Sequence, residues 1–314
     1  MQELNFLYCF DKNYNIQASV SIFSLLENIS EKINIYIIHK DPKTFSEYLS
    51  RINKHPNLSS IKIDKFDIPN FSFPNVEGTH VSEATYYRFF IEKYIDPKIE
   101  NLIYLDSDIV CVSDPFDIIK ATIKELNNSN YFIAAKSEPQ SLSKNLELKS
   151  GNYFNAGVMI IKTSEWFAKN LNMNLIELAE NNIEKLQFWD QDVLNLYFDG
   201  SYQELSKYLN FSLDMKPFER DNNLNLLEKE NVKLIHYVGK FKPWSLKGIV
   251  NKKSEFYQYY YRELFKDSYH LSSSRKLNTL RDFAGSLKHG VFFRVKYPYK
   301  LLFKFLYSIV KVKQ

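Results

Sequence analysis

Cysteine is nearly absent: Cys9 and Cys111 stand far apart in 314 residues with no Cys-x-x-Cys spacing. This excludes a disulfide scaffold and a thiolate zinc site, and it favours a reducing compartment. Glycine and proline are also scarce, at 8 and 10 residues, which excludes collagen-like, linker-like and low-complexity chains. No apolar run approaches the roughly 18 to 20 residues of a membrane-spanning helix. The opening Met1-Gln2-Glu3-Leu4-Asn5 lacks the basic segment of a secretory leader, so a soluble cytoplasmic protein is expected. What the chain has in quantity is core-forming material: 45% hydrophobic residues, with 25 Phe and 22 Tyr.

The net charge of +4 conceals an uneven distribution. From His270 to Gln314 there are ten Lys and Arg against one acid, Asp282, a charge of +9, whereas residues 1–269 carry 31 basic and 36 acidic groups, or −5. An acidic body is followed by a basic tail.

Short apolar runs alternate with amphipathic stretches. Strands are expected at Asn5 to Phe10, Ile33 to His39, Ile61 to Ile63, Leu102 to Leu105, Tyr131 to Ala135, Val158 to Lys162 and Val232 to Tyr237. Helices are expected at residues 15–29, 43–54, 83–94, 164–181 and 190–198. The alternation predicts an α/β fold with a mixed, mainly parallel sheet covered on both faces, whose ligands bind beyond the carboxyl ends of the strands. Residues 1–250 are expected to form one catalytic domain and 251–314 a helical, basic extension.

The strongest local pattern is Leu102-Ile103-Tyr104-Leu105-Asp106-Ser107-Asp108. In extended backbone, residues two apart face the same way, so Asp106 and Asp108 can present both carboxylates to Mg²⁺ or Mn²⁺ on a substrate diphosphate. The same residues also suit an acidic turn that caps the next helix. Phe10-Asp11-Lys12-Asn13-Tyr14 places polar groups after the first strand, where they could read a base. In Tyr153-Phe154-Asn155-Ala156-Gly157-Val158, small residues just before a strand permit close ligand approach or a tight turn. Phe188-Trp189-Asp190-Gln191-Asp192 combines acids and an amide with aromatics, a composition suited to sugar hydroxyls or to helix capping. His236-Tyr237-Val238-Gly239-Lys240-Phe241-Lys242-Pro243-Trp244 fits neither helix nor strand periodicity and leaves a histidine at the mouth of a loop.

In this order the segments resemble the retaining family-eight glycosyltransferases, which include bacterial lipopolysaccharide galactosyl- and glucosyltransferases and glycogenin. The resemblance covers residues 4–245. It implies a GT-A type nucleotide-sugar fold in which Asp106, Asp108 and His236 hold the metal. It further implies that Cys9, Asp11 and Asn13 meet the uridine and Arg88 meets the donor. Asn155, Ala156 and Gly157 would contact donor sugar and ribose, Asp190 and Gln191 would flank the sugar, Gly239 and Lys242 would hold the diphosphate, and Ser107 fills a variable slot of the donor site. Two carboxylates, an imidazole and phosphate oxygens suit Mn²⁺ better than Mg²⁺. The expected partners are UDP-glucose or UDP-galactose, a saccharide or lipid-linked saccharide acceptor, and no nucleic acid. Gln191 is a poor nucleophile, so same-face displacement is expected, assisted by Asp190 and Lys242, rather than a covalent intermediate.

A helix begun at Pro298 would place Lys300, Lys304, Ser308 and Lys311 on one face and Leu302, Phe305, Leu306 and Ile309 on the other. That pattern suits an anionic membrane surface. It equally suits packing on the body. The acceptor site is expected to involve residues 66–82 and 208–228. Two rivals from other classes are a haloacid-dehalogenase-like phosphatase, with Asp106 as nucleophile and Asp108 as acid, and a sugar-binding protein without turnover.

Overall fold

The computed structural model describes residues 3–68, 82–139, 144–218, 231–272 and 276–311. Seven strands form the main sheet in the order β3-β2-β1-β4-β7-β6-β8: β1 Leu4–Phe10, β2 Ile33–His39, β3 Leu58–Lys65, β4 Asn101–Leu105, β6 Ile133–Glu138, β7 Tyr153–Lys162 and β8 Gln203–Glu204. A small second sheet joins β5 Ile109–Cys111, β10 Leu234–His236 and β9 Phe211–Ser212. β1 and β4 are buried at every residue, as largely apolar strands in the middle of a doubly covered sheet should be. The main sheet is mixed and mainly parallel, with β7 antiparallel to both β4 and β6.

This topology places the site. The chain runs β1 to β2 to β3 in one direction and then returns to put β4 on the other side of β1, so the crevice at the carboxyl ends of β1 and β4 is a topological switch point. Because β7 is antiparallel to β4, with Leu105 opposite Val158, its first half lies beside Asp106 at that same end. The β5 and β10 pair sets Ile109 opposite His236, bringing the histidine next to the Asp106–Asp108 turn.

Several local expectations need correction. Residues 43–54 fold as a 3₁₀ turn, Pro42–Phe45, running into a short helix, Ser46–Ile52. Glu83–Phe90 is a 3₁₀ helix, and only Ile91–Tyr94 is α-helical. Tyr86 through Phe90 are all buried, and no helix with one solvent face can bury five consecutive side chains; the segment instead threads between β1 and the Trp189–Phe198 helix. The helix expected over 164–181 is two helices, Thr163–Ala168 and Leu171–Asn181, broken where Asn170 takes a left-handed conformation. The strand expected from Tyr131 begins at Ile133 and runs to Glu138.

The strand expected from Val158 begins at Tyr153, so Asn155, Ala156 and Gly157 lie within it and not before it. They do so with an irregularity. On β6, Ala135 pairs with Met159 while Lys136 pairs with Asn155, which frees the backbone of Ala156 from the ladder.

Beyond residue 250, the Glu255–Phe265 helix packs on the Asn15–Asn28 helix, where Asn28 Nδ2 donates to the Tyr260 hydroxyl at 2.6 Å. The Pro298–Lys311 helix buries Leu301 and Phe305 in a cluster with Leu246, Ile249, Tyr269 and Phe292. The two faces expected for this helix are therefore rearranged. Phe305 turns inward, Leu306 turns outward, and Lys304 pairs with Asp267 on the body. The side chain of Lys311 lies outside the described residues. No helix among the described residues is long and apolar enough to cross a membrane.

Candidate functional site

Asp106, Asp108 and His236 each direct one ligand atom into a volume in which these atoms lie within 4.8 Å of one another. His236 Nε2 is 3.3 Å from Asp108 Oδ1 and 4.0 Å from Asp106 Oδ2. An ion with bonds of about 2.1 Å needs neighbouring ligands about 3 Å apart and opposite ones about 4.2 Å apart, so the spacing suits a divalent cation.

The histidine's orientation follows from one backbone donor. Gly157 N–H donates to Asn155 Oδ1 at 2.9 Å, so that atom is the amide oxygen. Asn210 Nδ2 donates to the same oxygen at 2.9 Å, which leaves Asn210 Oδ1 to accept from His236 Nδ1 at 3.0 Å. The proton is thereby on Nδ1, and the Nε2 lone pair faces the carboxylates. Asp108 Oδ1, buried and without a hydrogen bond, faces that lone pair. Two acceptors that meet in this way fit a cation between them, and the donor set thus fits the metal the resemblance implies.

Gly157 belongs to this arrangement sterically. A Cβ there would stand 2.3 Å from His236 Cε1, so the glycine makes room for the ring. Asp108 is also held by Lys242, whose Nζ donates to Oδ2 at 2.8 Å and to the Tyr237 carbonyl at 2.6 Å. Burial pushes the Asp108 carboxyl up, but the Lys242 ammonium outweighs it and holds the carboxyl well below the ordinary carboxylate range. Gly239 opens the loop with φ +77°, and Gly248 lets its far end close: a Cβ on Gly248 would lie 1.9 Å from the Lys242 carbonyl oxygen.

Arg88 is 3% exposed. Its Nη1 donates to the freed Ala156 carbonyl at 2.5 Å, Nε donates to Thr85, and Nη2 lies 2.5 Å from Asp190 Oδ2 and 3.7 Å from Asp106 Oδ1. Its guanidinium lies over the Tyr104 ring, whose hydroxyl donates to Asp106. Arg88 thus links the two acids from below. The Arg88–Asp190 contact is an ion pair between two buried side chains. Burial raises the Asp190 carboxyl to about 6, with Arg88 opposing the rise and Asp106 adding to it.

Gln191 Oε1 accepts from the freed Ala156 N–H at 3.0 Å, and its Nε2 donates to the Tyr153 hydroxyl at 2.9 Å. Its neighbour Asp192 is structural, accepting from Tyr153 and from the backbone of Gln187 and Phe188. Asp11 caps the Lys12–Tyr14 turn through Asn13 N–H and accepts from Ser82 at 2.5 Å, joining the loop after β1 to the segment that carries Arg88. Asn13 is exposed, whereas Cys9 is buried and its thiol is pushed up chiefly by that burial, which removes it as a nucleophile. Ser107 Oγ is buried without a partner. Of the expected acceptor stretches, 69–81 and 219–230 lie outside the described residues.

Sequence reasoning missed Asn210, Asn195 and Tyr104. Asn195 copies a strand edge by exchanging two hydrogen bonds with the Phe154 backbone. Tyr104 alone left a signal, standing two residues before Asp106 on the same face of a buried strand.

The fold and this crevice define a glycosyltransferase of the GT-A type. The chain belongs to Glycosyl transferase family 8, whose family model it matches over residues 5–248. It is 29% identical to a lipopolysaccharide 1,2-glucosyltransferase of Escherichia coli over 88% of this chain and 80% of that one. It is 28% identical to a lipopolysaccharide 1,3-galactosyltransferase of Salmonella typhimurium over 82% and 77% of the two chains. The fold is that of the galactosyltransferase LgtC, solved with donor and acceptor sugar analogs: TM-score 0.68 at 19% identity, covering 83% of this chain and 96% of that one. The phosphatase reading is not supported, because the Asp-x-Asp motif follows the fourth strand of a family-eight transferase.

Proposed function

We propose that this protein transfers glucose or galactose from a UDP-sugar, with retention, to a hydroxyl of a saccharide or lipid-linked saccharide in lipopolysaccharide or other surface-glycan synthesis. The work would take place in the cytoplasm at the inner face of the cell membrane, with Mn²⁺ as cofactor and Mg²⁺ as a substitute. The relatives' activities support the reaction class. The observation that carries the reading is the Asp106, Asp108 and His236 cluster with Lys242 beside it.

Breaking the anomeric C–O bond leaves negative charge on the departing diphosphate, and a divalent ion held by Asp106, Asp108 and His236 would supply Lewis-acid stabilisation there. Lys242, whose Nζ donates to Asp108, would place its positive charge beside the diphosphate held at this cluster. Asp190, ionised above pH about 6 and fixed by Arg88, orients the sugar and balances the positive charge that develops at its anomeric carbon. Gln191 Oε1 keeps a lone pair beyond its bond to Ala156 for the same centre. The leaving phosphate then accepts the acceptor hydroxyl's proton on the face from which it departs. Asn155, Ala156, Gly157 and Gly239 supply close backbone and amide contacts around the sugar and phosphates, and Cys9, Asp11, Asn13 and Ser107 line the nucleotide side.

The basic tail is part of this reading as the contact to an anionic membrane. The test is UDP release from UDP-glucose, UDP-galactose and UDP-N-acetylglucosamine with Mn²⁺. Slow hydrolysis of one or more donors that disappears in Asp108→Ala is expected. Phosphate release from simple monoesters would instead restore the phosphatase, and a trapped glycosyl adduct on Gln191 or Asp190 would overturn same-face displacement.

A further inference from the structure

The order of the strands sets the ligand groups out in a row. From β1 the main sheet continues through β4 and β7 to β6, and β6 runs in the same direction as β4, so its carboxyl end reaches the same edge. Asp11 and Asn13 follow β1, the Asp106–Asp108 turn follows β4, and Asn155 lies in the first half of β7. Next in the row stand Lys136, Ser137 and Glu138, the last three residues of β6. A donor with its base toward β1 and its diphosphate at the metal cluster puts its sugar toward β7. The acceptor then lies beyond the sugar, toward β6.

Lys136 and Glu138 point to one face of the sheet, while Ser137 between them turns to the other, where it meets Tyr202 and Glu204. Lys136 Nζ lies 2.9 Å from Glu138 Oε1 and donates to Ser212 Oγ at 2.7 Å, and that hydroxyl donates to the same carboxylate oxygen at 3.1 Å. These residues border the groups that orient His236: Lys136 is the cross-strand partner of Asn155, and Ser212 is that of His236. The lysine and glutamate side chains are only 15% and 14% exposed. An ion pair withdrawn this far from water adds little net stability, because desolvation offsets the attraction. What it does provide is a carboxylate of fixed direction. Oε1 is engaged twice, whereas Oε2 has no hydrogen bond among the described residues and is not shut off from solvent. The Lys136 ammonium has a third N–H beyond its two contacts.

We infer that Lys136, Glu138 and Ser212 form the acceptor's hydroxyl subsite, in which Glu138 Oε2 accepts from one hydroxyl of a neutral saccharide and Lys136 donates to the oxygen of the next. The inference rests on the transferase reading above and names the specificity-determining contacts of the second substrate. A vicinal diol offers the required donor and acceptor side by side. A lysine already neutralised by its glutamate favours such a diol over a phosphorylated or carboxylated ring, whose anion Glu138 would repel.

The test uses the full chain with Mn²⁺ and UDP-glucose or UDP-galactose, and it reads two rates. One is UDP release from the donor alone, and the other is the release added by lactose, methyl β-glucoside or methyl β-galactoside. A hydrogen bond to a charged group is worth about 10- to 100-fold, so Glu138→Gln and Lys136→Met should each lower acceptor-dependent kcat/KM by that factor relative to donor hydrolysis, mainly through KM. Monodeoxy analogues of the best acceptor separate recognition from folding. At least one should serve the wild type as poorly as the parent sugar serves Glu138→Gln, with no further loss in that variant. Equal losses of hydrolysis and transfer, deoxy penalties that are the same in wild type and variant, or no response of the wild type to any of the three acceptors would overturn the inference. Absence of donor hydrolysis in the wild type is a separate result and overturns the transferase reading itself.

Discussion

Asn210 illustrates how a residue that touches no substrate can set the chemistry. It is fully buried, and its two amide atoms have opposite tasks, donating to Asn155 and accepting from His236. Asn210→Leu keeps the volume but leaves His236 Nδ1 without an acceptor, so the ring is free to turn and either nitrogen can carry the proton. Loss of such a support weakens metal binding or rate by about 10- to 100-fold. Mn²⁺ titration followed by paramagnetic resonance, together with kcat, checks this, and wild-type values for both would show the relay to be irrelevant.

Asp190 carries a pH dependence of definite sign. Its folded-state value of about 6 lies above the unfolded 3.8, so the folded protein binds this proton more tightly than the unfolded chain does. The group's stabilising contribution is therefore complete below pH about 4 and is lost as the pH rises through about 6. On the proposed role of the Asp190 anion, activity moves the opposite way: kcat should fall about tenfold per unit below pH 6 and level off above 7. Asp108, with its depressed value, contributes stability above pH about 4 that is lost as the pH falls further. The Tm difference between wild type and Asp190→Asn, measured from pH 7 to pH 4, should shift in favour of wild type on acidification, and a difference independent of pH would remove the basis for this assignment.

At the scale of elements, the parts that could be read in advance are those in which local pattern and tertiary role agree. β1 from Phe6 and β4 from Leu102 are unbroken apolar runs ended by aspartate, so their burial, and the common direction of Asp106 and Asp108, follow from composition and a period of two. The Glu83–Phe90 segment reads as an ordinary helix because its aromatics hide the fact that it is buried on every side, a property of its neighbours and not of its own residues. The irregularity in β7 was equally illegible. Asn-Ala-Gly resembles a turn in isolation, and only the pairing with β6 shows that the disrupted ladder leaves Ala156 for Arg88 and Gln191. The loop after β10 offers a test at this scale. Gly248→Ala must push back the Lys242 carbonyl, so it should cost about 1 to 3 kcal/mol in a denaturant titration and reduce kcat through the displaced lysine. Loss of stability with unchanged kcat would place Lys242 outside the reaction.

For the whole molecule, the uneven charge acquires a geometry. The Pro298–Lys311 helix uses one apolar stripe, Leu301 and Phe305, to hold itself to the body, and it presents a second to solvent: Tyr299 is 77% exposed, Phe303 72%, Leu306 49% and Tyr307 59%, with Phe293 at 68% nearby. Arg294, Lys296 and Lys300 accompany this outer stripe. A helix that is apolar on both sides, with one side already packed, has an outer face suited to the interfacial zone of a bilayer, where each neighbouring Lys or Arg adds about 1 kcal/mol on an anionic surface. Replacing Tyr299, Phe303 and Leu306 together by Ser should leave Tm nearly unchanged, because none is buried, while sharply reducing sedimentation with phosphatidylglycerol vesicles. Phe305→Ala should do the reverse, costing about 3 to 5 kcal/mol of stability through the cavity it leaves. Binding should also weaken as salt rises, since the Debye length falls from about 10 Å at 0.1 M to about 3 Å at 1 M. If the triple variant sediments like the wild type, the outer stripe is not a membrane contact, and the positive charge of the tail must serve the body alone.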